Sequence, residues 1–163
     1  MSPTIAVATR AIRSDDESFL RRVYAGTRLE ELAIVPWDDA QKDAFLRMQF
    51  DAQHRFYHDQ FPDASYEIIL RDGEPVGRLY VDRREDEIRI IDIALLPEAR
   101  GEGIGGKLLS DLIAEAGASN KPIRIHVERY NRAMSLYLRV GFAPIGESDL
   151  YFLMEWTPGA HGT

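Results

Sequence analysis

Apolar residues recur along the chain at two periods, near 3.6 and at 2, and the switches between them predict the order of elements. Thr9 to Arg13 is a short strand. Ser14-Asp15-Asp16-Glu17 then reads as a capping box, and Phe19, Leu20, Val23 and Tyr24 follow at helical spacing. After Pro36-Trp37 and the capping pair Asp38-Asp39, Ala44, Phe45, Met48, Ala52 and Phe56 mark a second helix from Ala40 to about His58. Two strands, Tyr66 to Arg71 and Val76 to Asp82, flank Asp72-Gly73-Glu74-Pro75, where Asp-Gly signals a hairpin turn. A third runs from Glu87 to Leu96. A helix from Ile104 to Ala116, bounded by Gly117, carries Ile104, Leu108, Leu109, Leu112, Ile113 and Ala116 on its apolar side. Ile123 to Val127 follows it and should lie parallel to the preceding strand, because a strand–helix–strand crossover returns in that sense. A last helix over about Arg132 to Val140 is stopped by Gly141, and Phe142 to Ile145 and Leu150 to Trp156 close the pattern as strands. The order defines a mixed-sheet α/β or α+β domain without repeats.

Length and charge narrow the function. The chain has 163 residues, enough for one domain, read here as 9–157 with short tails at 1–8 and 158–163. Twenty basic residues against 27 acidic ones leave a net charge of −7, the wrong sign for holding a phosphate backbone, so nucleic acid is not an expected partner. With no Cys there is no disulfide, no thiolate metal site and no thiol nucleophile. The apolar run Ile5 to Ala8 is far shorter than a signal-peptide core or a membrane span, which places the protein in the cytoplasm and away from membranes.

The chemistry concentrates in Arg100-Gly101-Glu102-Gly103-Ile104-Gly105-Gly106-Lys107, between a strong strand and a strong helix. Four glycines in six residues remove the Cβ atoms that would block a ligand, and the first turn of a helix offers unpaired N–H groups and a positive dipole end. Arg100 and Lys107 add positive charge. An anion is the natural occupant. Gly101-x-Gly103-x-x-Gly106 also satisfies the dinucleotide fingerprint, with Glu128 closing the next strand. Yet Pro97-Glu98-Ala99-Arg100 separates the strand from the glycines, and only 57 residues remain after Gly106, too few for the βαβ series of that fold. No Gly-Lys-Ser/Thr follows, so a P-loop is excluded.

Taken as Arg100-x-x-Gly103-x-Gly105, the loop resembles the acetyl-CoA signature of the GNAT N-acetyltransferase superfamily. Upstream, Ile91-Asp92-Ile93-Ala94-Leu95-Leu96-Pro97-Glu98 is similar to that family's approach to the loop. Downstream, Asn131 followed by Ala133-Met134-Ser135-Leu136-Tyr137 and then Gly141-Phe142 resembles its second motif, with Asn131 six residues before Tyr137 where seven is the commoner spacing. The matched stretch covers about Glu87 to Phe142.

The resemblance implies a central, mostly antiparallel sheet with one splayed parallel pair and about four helices. It implies an acetyl group moved from acetyl-CoA to a primary amine by direct attack. Ile93 and Leu95 would then pair through their backbones with the pantetheine arm, and Arg100, Gly101, Gly103, Ile104, Gly105 and Gly106 would hold the diphosphate. Asn131 completes the implied cofactor set, and Tyr137 is the implied general acid. The acceptor is a small amine or a protein amine, and a homodimer is compatible with the family.

An alkylamine has a pKa of roughly 10 and must lose a proton before it attacks. Alternation puts Arg124, His126 and Glu128 on the polar face of their strand, and His126 stands where N-terminal acetyltransferases of ribosomal proteins in this superfamily carry a catalytic Glu. An unperturbed imidazole titrates close to working pH, which makes His126 the expected base. Asp92, a carboxylate within Ile90-Ile91-Asp92-Ile93, is the other candidate. His54 and His58 stand one helical turn apart without an evident third ligand, so no metal is expected. Two further functional readings stay open: a non-catalytic sensor that binds acyl-CoA, and a nucleotide-dependent oxidoreductase, which the length disfavours.

Overall fold

A computed structural model describes residues 5–159; of the two tails read from the sequence, 1–4 and 160–163 lie outside the described residues. Seven strands, β1 (Val7–Ala11), β2 (Ser65–Arg71), β3 (Glu74–Arg83), β4 (Ile88–Leu95), β5 (Ile123–Glu128), β6 (Ala143–Glu147) and β7 (Tyr151–Trp156), form a mixed sheet in the order β1-β2-β3-β4-β5-β7-β6. The helices are α1 (Glu17–Thr27), α2 (Leu29–Ala33), α3 (Asp39–Gln60), α4 (Ile104–Ser119) and α5 (Met134–Arg139). Among the described residues no helix is long and apolar enough to cross a membrane. Contacts divide the chain into two compact units, one ending at Leu79 and taking in Ile93–Arg100, the other made of Tyr80–Asp92 and the chain from Gly101 onward.

In the first unit β1 pairs antiparallel with β2, from Val7 opposite Arg71 to Ala11 opposite Glu67. β1 therefore begins two residues before the expected Thr9 and uses part of the segment assigned to a tail. The Asp72-Gly73 turn takes positive φ at both residues, 50° and 85°, as a tight hairpin requires. Leu20 and Tyr24 of α1 pack with Phe50 of α3 and Ile68 of β2. The expected capping box at Ser14 is shifted. Ser14–Asp16 is a single 3₁₀ turn, and Asp16 is the residue that caps, accepting from the Arg13 N–H at 2.7 Å and from both terminal nitrogens of Arg10 at 2.8 and 2.9 Å. Those bonds hold the Asp16 carboxyl down at about 2 despite its burial. α3 opens with a reciprocal box in which Asp38 Oδ1 accepts from the Gln41 N–H and Gln41 Oε1 accepts from the Asp38 N–H.

In the second unit β4 and β5 are parallel, β5 pairs antiparallel with β7, and β7 pairs antiparallel with β6. Ile88, Ile90, Ile104, Leu109, Ile123 and Met154 are fully buried. Of its expected stripe α4 buries Ile104, Leu108, Leu109, Leu112 and Ala116, while Ile113 is only half-buried. It does not stop at Gly117: the helix runs to Ser119 and ends on Asn120, whose φ of 55° supplies the left-handed cap expected of a glycine. α5 is shorter than the apolar pattern suggests, because Arg132 and Ala133 form a turn ahead of Met134.

Candidate active site

The glycine loop opens directly into α4. Gly101 and Gly103 hold φ of 78° and 84°, where an L side chain costs about 1–2 kcal/mol, and a Cβ built on either would meet nothing within 4 Å. The backbone there is bare. Gly103 is the N-cap of α4 and brings no side-chain oxygen to the first-turn amides, and that turn holds no acidic residue. The amides of Ile104, Gly105 and Gly106 thus stand at the positive end of a 16-residue helix without a side-chain acceptor from the cap. This donor set fits a diphosphate. Ile104, 1 % exposed, pins the loop to the core, while Gly105 and Gly106 lie under Leu136 of α5: an added Cβ would come within 3.3 and 3.8 Å of its methyls.

The two cations of the loop are committed elsewhere. Arg100 Nη2 donates to the Gly26 carbonyl oxygen at the end of α1, and Lys107 pairs with Asp111 at 2.6 Å, one turn along α4. The attraction for an anion therefore comes chiefly from backbone N–H groups.

β4 and β5 pair for only three residues, Ile88 opposite Ile123 to Ile90 opposite Ile125, although β4 runs on to Leu95 and β5 to Glu128. This is the splayed parallel pair expected from the resemblance. Ile93 and Leu95, half-buried, lie on the continuation of β4 past the last pair. Strand alternation fixes which way the acid–base candidates face. Asp92 shares the side of Ile88 and Ile90, which is also the side of Ile123, Ile125 and Val127. Arg89 shares the side of Arg124 and His126. The two candidate bases stand on opposite faces of the sheet.

Tyr137 is 3 % exposed on α5, with its ring edge-on to Phe142 at 5.7 Å. Burial pushes its hydroxyl well above the ordinary phenol range, and the charge of Asp92 pushes in the same direction. The hydroxyl stays protonated across the working pH range. Tyr137 and Asp92 thus belong to one electrostatic site.

His126 belongs to another. Its Nδ1 lies 3.2 Å from Arg89 Nη1. Arg89 also donates from Nε to Glu87, which stands 3.5 Å from Arg84 and 3.6 Å from Arg124, and Arg124 in turn bonds Glu155. Partial burial and then the Arg89 charge lower the imidazole pKa, with Glu87 opposing them. An arginine only donates, so the ring accepts at Nδ1 and the neutral imidazole carries its proton on Nε2. Arg89 and Glu87 were not singled out in the sequence, yet the parity of β4 against β5 would have found them once the parallel register was known.

Asn131 accepts from the Ala133 N–H at 2.7 Å, so its side chain builds the turn into α5 and leaves its NH₂ group as a donor. His54 and His58 have ring centroids 4.4 Å apart, and the described residues contain no group of three ligands that would hold a metal ion.

A bare anion loop at a helix N-terminus, a parallel pair joined over only three residues and a buried tyrosine hydroxyl are features of an acyl-CoA-dependent transferase. Residues 26–142 match the acetyltransferase (GNAT) family. The chain is 30 % identical over 102 residues, 60 % of its own length and 67 % of the relative's, to a Bacillus subtilis (strain 168) protein assigned as a ribosomal protein bS18-alanine N-acetyltransferase. In structure it resembles the PaiA N-acetyltransferase of Thermoplasma acidophilum solved with coenzyme A, at a TM-score of 0.70 and 17 % identity, over 93 % of this chain and 99 % of that one. It also resembles the ribosomal-protein-S18-alanine N-acetyltransferase of Escherichia coli, at 0.60 and 18 %, over 93 % and 94 %. The chain belongs to the GNAT acetyltransferase family. It is an enzyme that uses acetyl-CoA as cosubstrate for N-acetylation.

Proposed function

We propose that the acceptor is the N-terminal amine of a protein and that Tyr137 and Asp92 carry the proton transfers. The observation on which this rests is a buried tyrosine hydroxyl under the influence of the Asp92 carboxylate, which stands on β4 two residues past its last pair with β5. The Bacillus subtilis relative, assigned as a ribosomal protein bS18-alanine N-acetyltransferase, supports the choice of acceptor. The reading includes one N-acetyltransferase domain, expected over 9–157 and extended at its start to Val7 by β1, action in the cytoplasm and assembly as a homodimer.

Acetyl-CoA supplies an acetyl group already activated as a thioester. The chain's residues do the rest. Backbone N–H groups of Gly101, Gly103, Ile104, Gly105 and Gly106 bind the diphosphate, with Arg100 bracing the loop's entry through Gly26. Ile93 and Leu95 offer backbone groups to an extended arm beyond the last β4–β5 pair, and the NH₂ of Asn131 offers a donor at the turn into α5. Burial and the Asp92 charge keep Tyr137 protonated in the resting site; once Asp92 has taken the proton of the amine, one of those two influences is gone and Tyr137 gives its proton to the departing sulfur. Asp92 accepts the proton of the incoming ammonium, directly or through a water. His126 is the second candidate for that step. Its Nδ1 lone pair faces Arg89, so the ring must displace that guanidinium before it takes a proton there.

The test is a thiol-release assay with acetyl-CoA on peptides beginning with Ala, on the same peptides with a blocked N-terminus and an internal Lys, and on small alkylamines. Turnover confined to free N-terminal Ala peptides supports the reading, and preference for small amines overturns the acceptor assignment.

A further inference from the structure

α3 carries an exposed face that none of the chemistry above uses. Ala40, Ala44, Met48, Ala52 and Phe56 recur every four residues and are all exposed, Met48 at 62 % and Phe56 at 56 %. Beside them, at the same spacing, runs a row of alternating sign: Asp43, Arg47, Asp51, Arg55. Within the helix this row is loosely bound, with Arg47 and Asp43 4.0 Å apart.

Both rows are complementary to themselves under a two-fold axis near the middle of the helix, the apolar row about Met48 and the charged row about Gln49, one residue on. When two copies of α3 meet antiparallel, equivalent flanks face each other. Arg47 then meets Asp51 of the other copy, and Asp43 meets Arg55, twice each by symmetry. In a parallel pair the two charged rows lie on opposite sides of the contact and do not meet. The apolar row obeys the same symmetry, with Met48 on the axis against itself, Ala44 against Ala52, and Ala40 against Phe56. A four-residue ridge packs into its counterpart at a crossing angle of about −50°, so two such helices diverge away from the centre. The small residues Ala44 and Ala52 flank the close approach, and the large Phe56 lies opposite Ala40 where the gap widens. Two exposed large side chains in a single ridge, bordered by matched charge, are the make-up of a protein contact rather than of a solvated helix face.

From this self-complementarity we infer that α3 is the contact of a symmetric homodimer whose occupant is a second copy of the chain, seated antiparallel across Met48. The inference rests on the homodimer reading above and not on the acceptor or the proton transfers. A single helix crossing is smaller than the roughly 800 Å² per partner of a standard interface, so the dissociation constant should be on the order of micromolar.

Sedimentation velocity on the full chain from about 1 to 100 μM should show a concentration-dependent monomer–dimer equilibrium. R47D and D51R should each weaken it by about 10²-fold, since each sets like charges across the axis. An equimolar mixture of these two variants should regain the dimer, because every cross-axis pair is then of opposite sign. The mixture also guards against misfolding, which it would not reverse. The cysteine-free chain allows a second measurement: M48C should form an intermolecular disulfide under mild oxidation, and Q60C, far from the axis, should not. A monomer at 100 μM overturns the inference. So does a dimer indifferent to both charge variants, or equal cross-linking at the two cysteine positions. Acetyl transfer measured on the same samples tests the chemical reading separately.

Discussion

Arg89 Nη1 lies 3.2 Å from Nδ1 of His126, and this contact fixes the tautomer of the ring and adds to the effect of burial on its basicity. The imidazole titrates below its ordinary value through partial burial and the arginine's charge. Its folded pKa is therefore lower than its unfolded one near 6.5, and between the two the unfolded chain binds more protons. The stability it contributes is complete above about pH 6.5 and is lost as the pH falls through the folded value. A ¹H–¹⁵N NMR titration should find His126 below the free-imidazole range with its proton on Nε2, and Arg89→Met should raise the pKa. An unchanged titration in the variant would remove Arg89 as the cause.

Asp16 has the opposite kind of neighbour. Its carboxyl sits at about 2 because Arg10 and the Arg13 N–H bond its charged form. That stabilisation is present above the unfolded pKa near 3.8 and disappears as the pH falls toward 2. Asp16→Asn should cost about 2 kcal/mol near neutral pH, the scale of lost hydrogen bonds to a charged group, and flatten the acid limb of the stability curve. Urea unfolding of both proteins at pH 7 and pH 3 measures this.

Gly103 separates backbone strain from ligand exclusion. Gly103→Ala must place a Cβ at φ 84°, a cost of about 1–2 kcal/mol, but the Cβ meets no atom within 4 Å. Acetyl-CoA should still raise its melting temperature. Gly103→Glu adds charge beside the diphosphate and should abolish the shift, and an undiminished shift would put the cofactor elsewhere. Gly105 is a poorer probe, because a Cβ there comes within 3.3 Å of Leu136 Cδ2, which must shift to make room.

What was legible in the sequence was what neighbours in the chain decide. The Asp72-Gly73 turn, the cap at Asp38, the stripe of α4 and the glycine loop all depend on residues within a few positions of one another, and all stand where expected. α2 escaped because five residues with Leu29 exposed carry no period. Gly117 misled for a related reason: a glycine suggests a helix end, yet here it lies inside α4, where its Cβ position is 3.9 Å from Trp156, and Asn120 takes the left-handed cap instead. The site split in the same way. The loop and Tyr137 could be named from local motifs, whereas the partners of Arg100 and His126 come from segments 74 and 37 residues away.

Tyr137→Phe removes a single oxygen from a packed ring. The contact with Phe142 is kept, so the fold and acetyl-CoA affinity should hardly change. kcat should fall by about 10²-fold or more, the range for losing one general acid. Parallel thermal-shift and turnover measurements separate the two effects. Equal turnover in both proteins would reduce Tyr137 to a packing residue.

Asp92 and His126 lie on opposite faces of the sheet, so one substitution at each assigns the base. Asp92 acts on Tyr137, so with Tyr137 as the proposed acid the carboxylate stands on the side of the departing sulfur, and the amine must reach the same carbonyl carbon that bears that sulfur. Asp92→Asn keeps the size of the side chain and removes its capacity to take a proton. It should lower kcat by about 10²-fold or more while leaving acetyl-CoA binding intact. It should also lower the Tyr137 pKa, because one of the two influences raising it is gone. His126→Ala should preserve most of kcat and the acidic limb of kcat/KM. A limb that vanishes in His126→Ala and persists in Asp92→Asn would transfer the role to the imidazole, and would require Arg89 to swing away from Nδ1 during turnover.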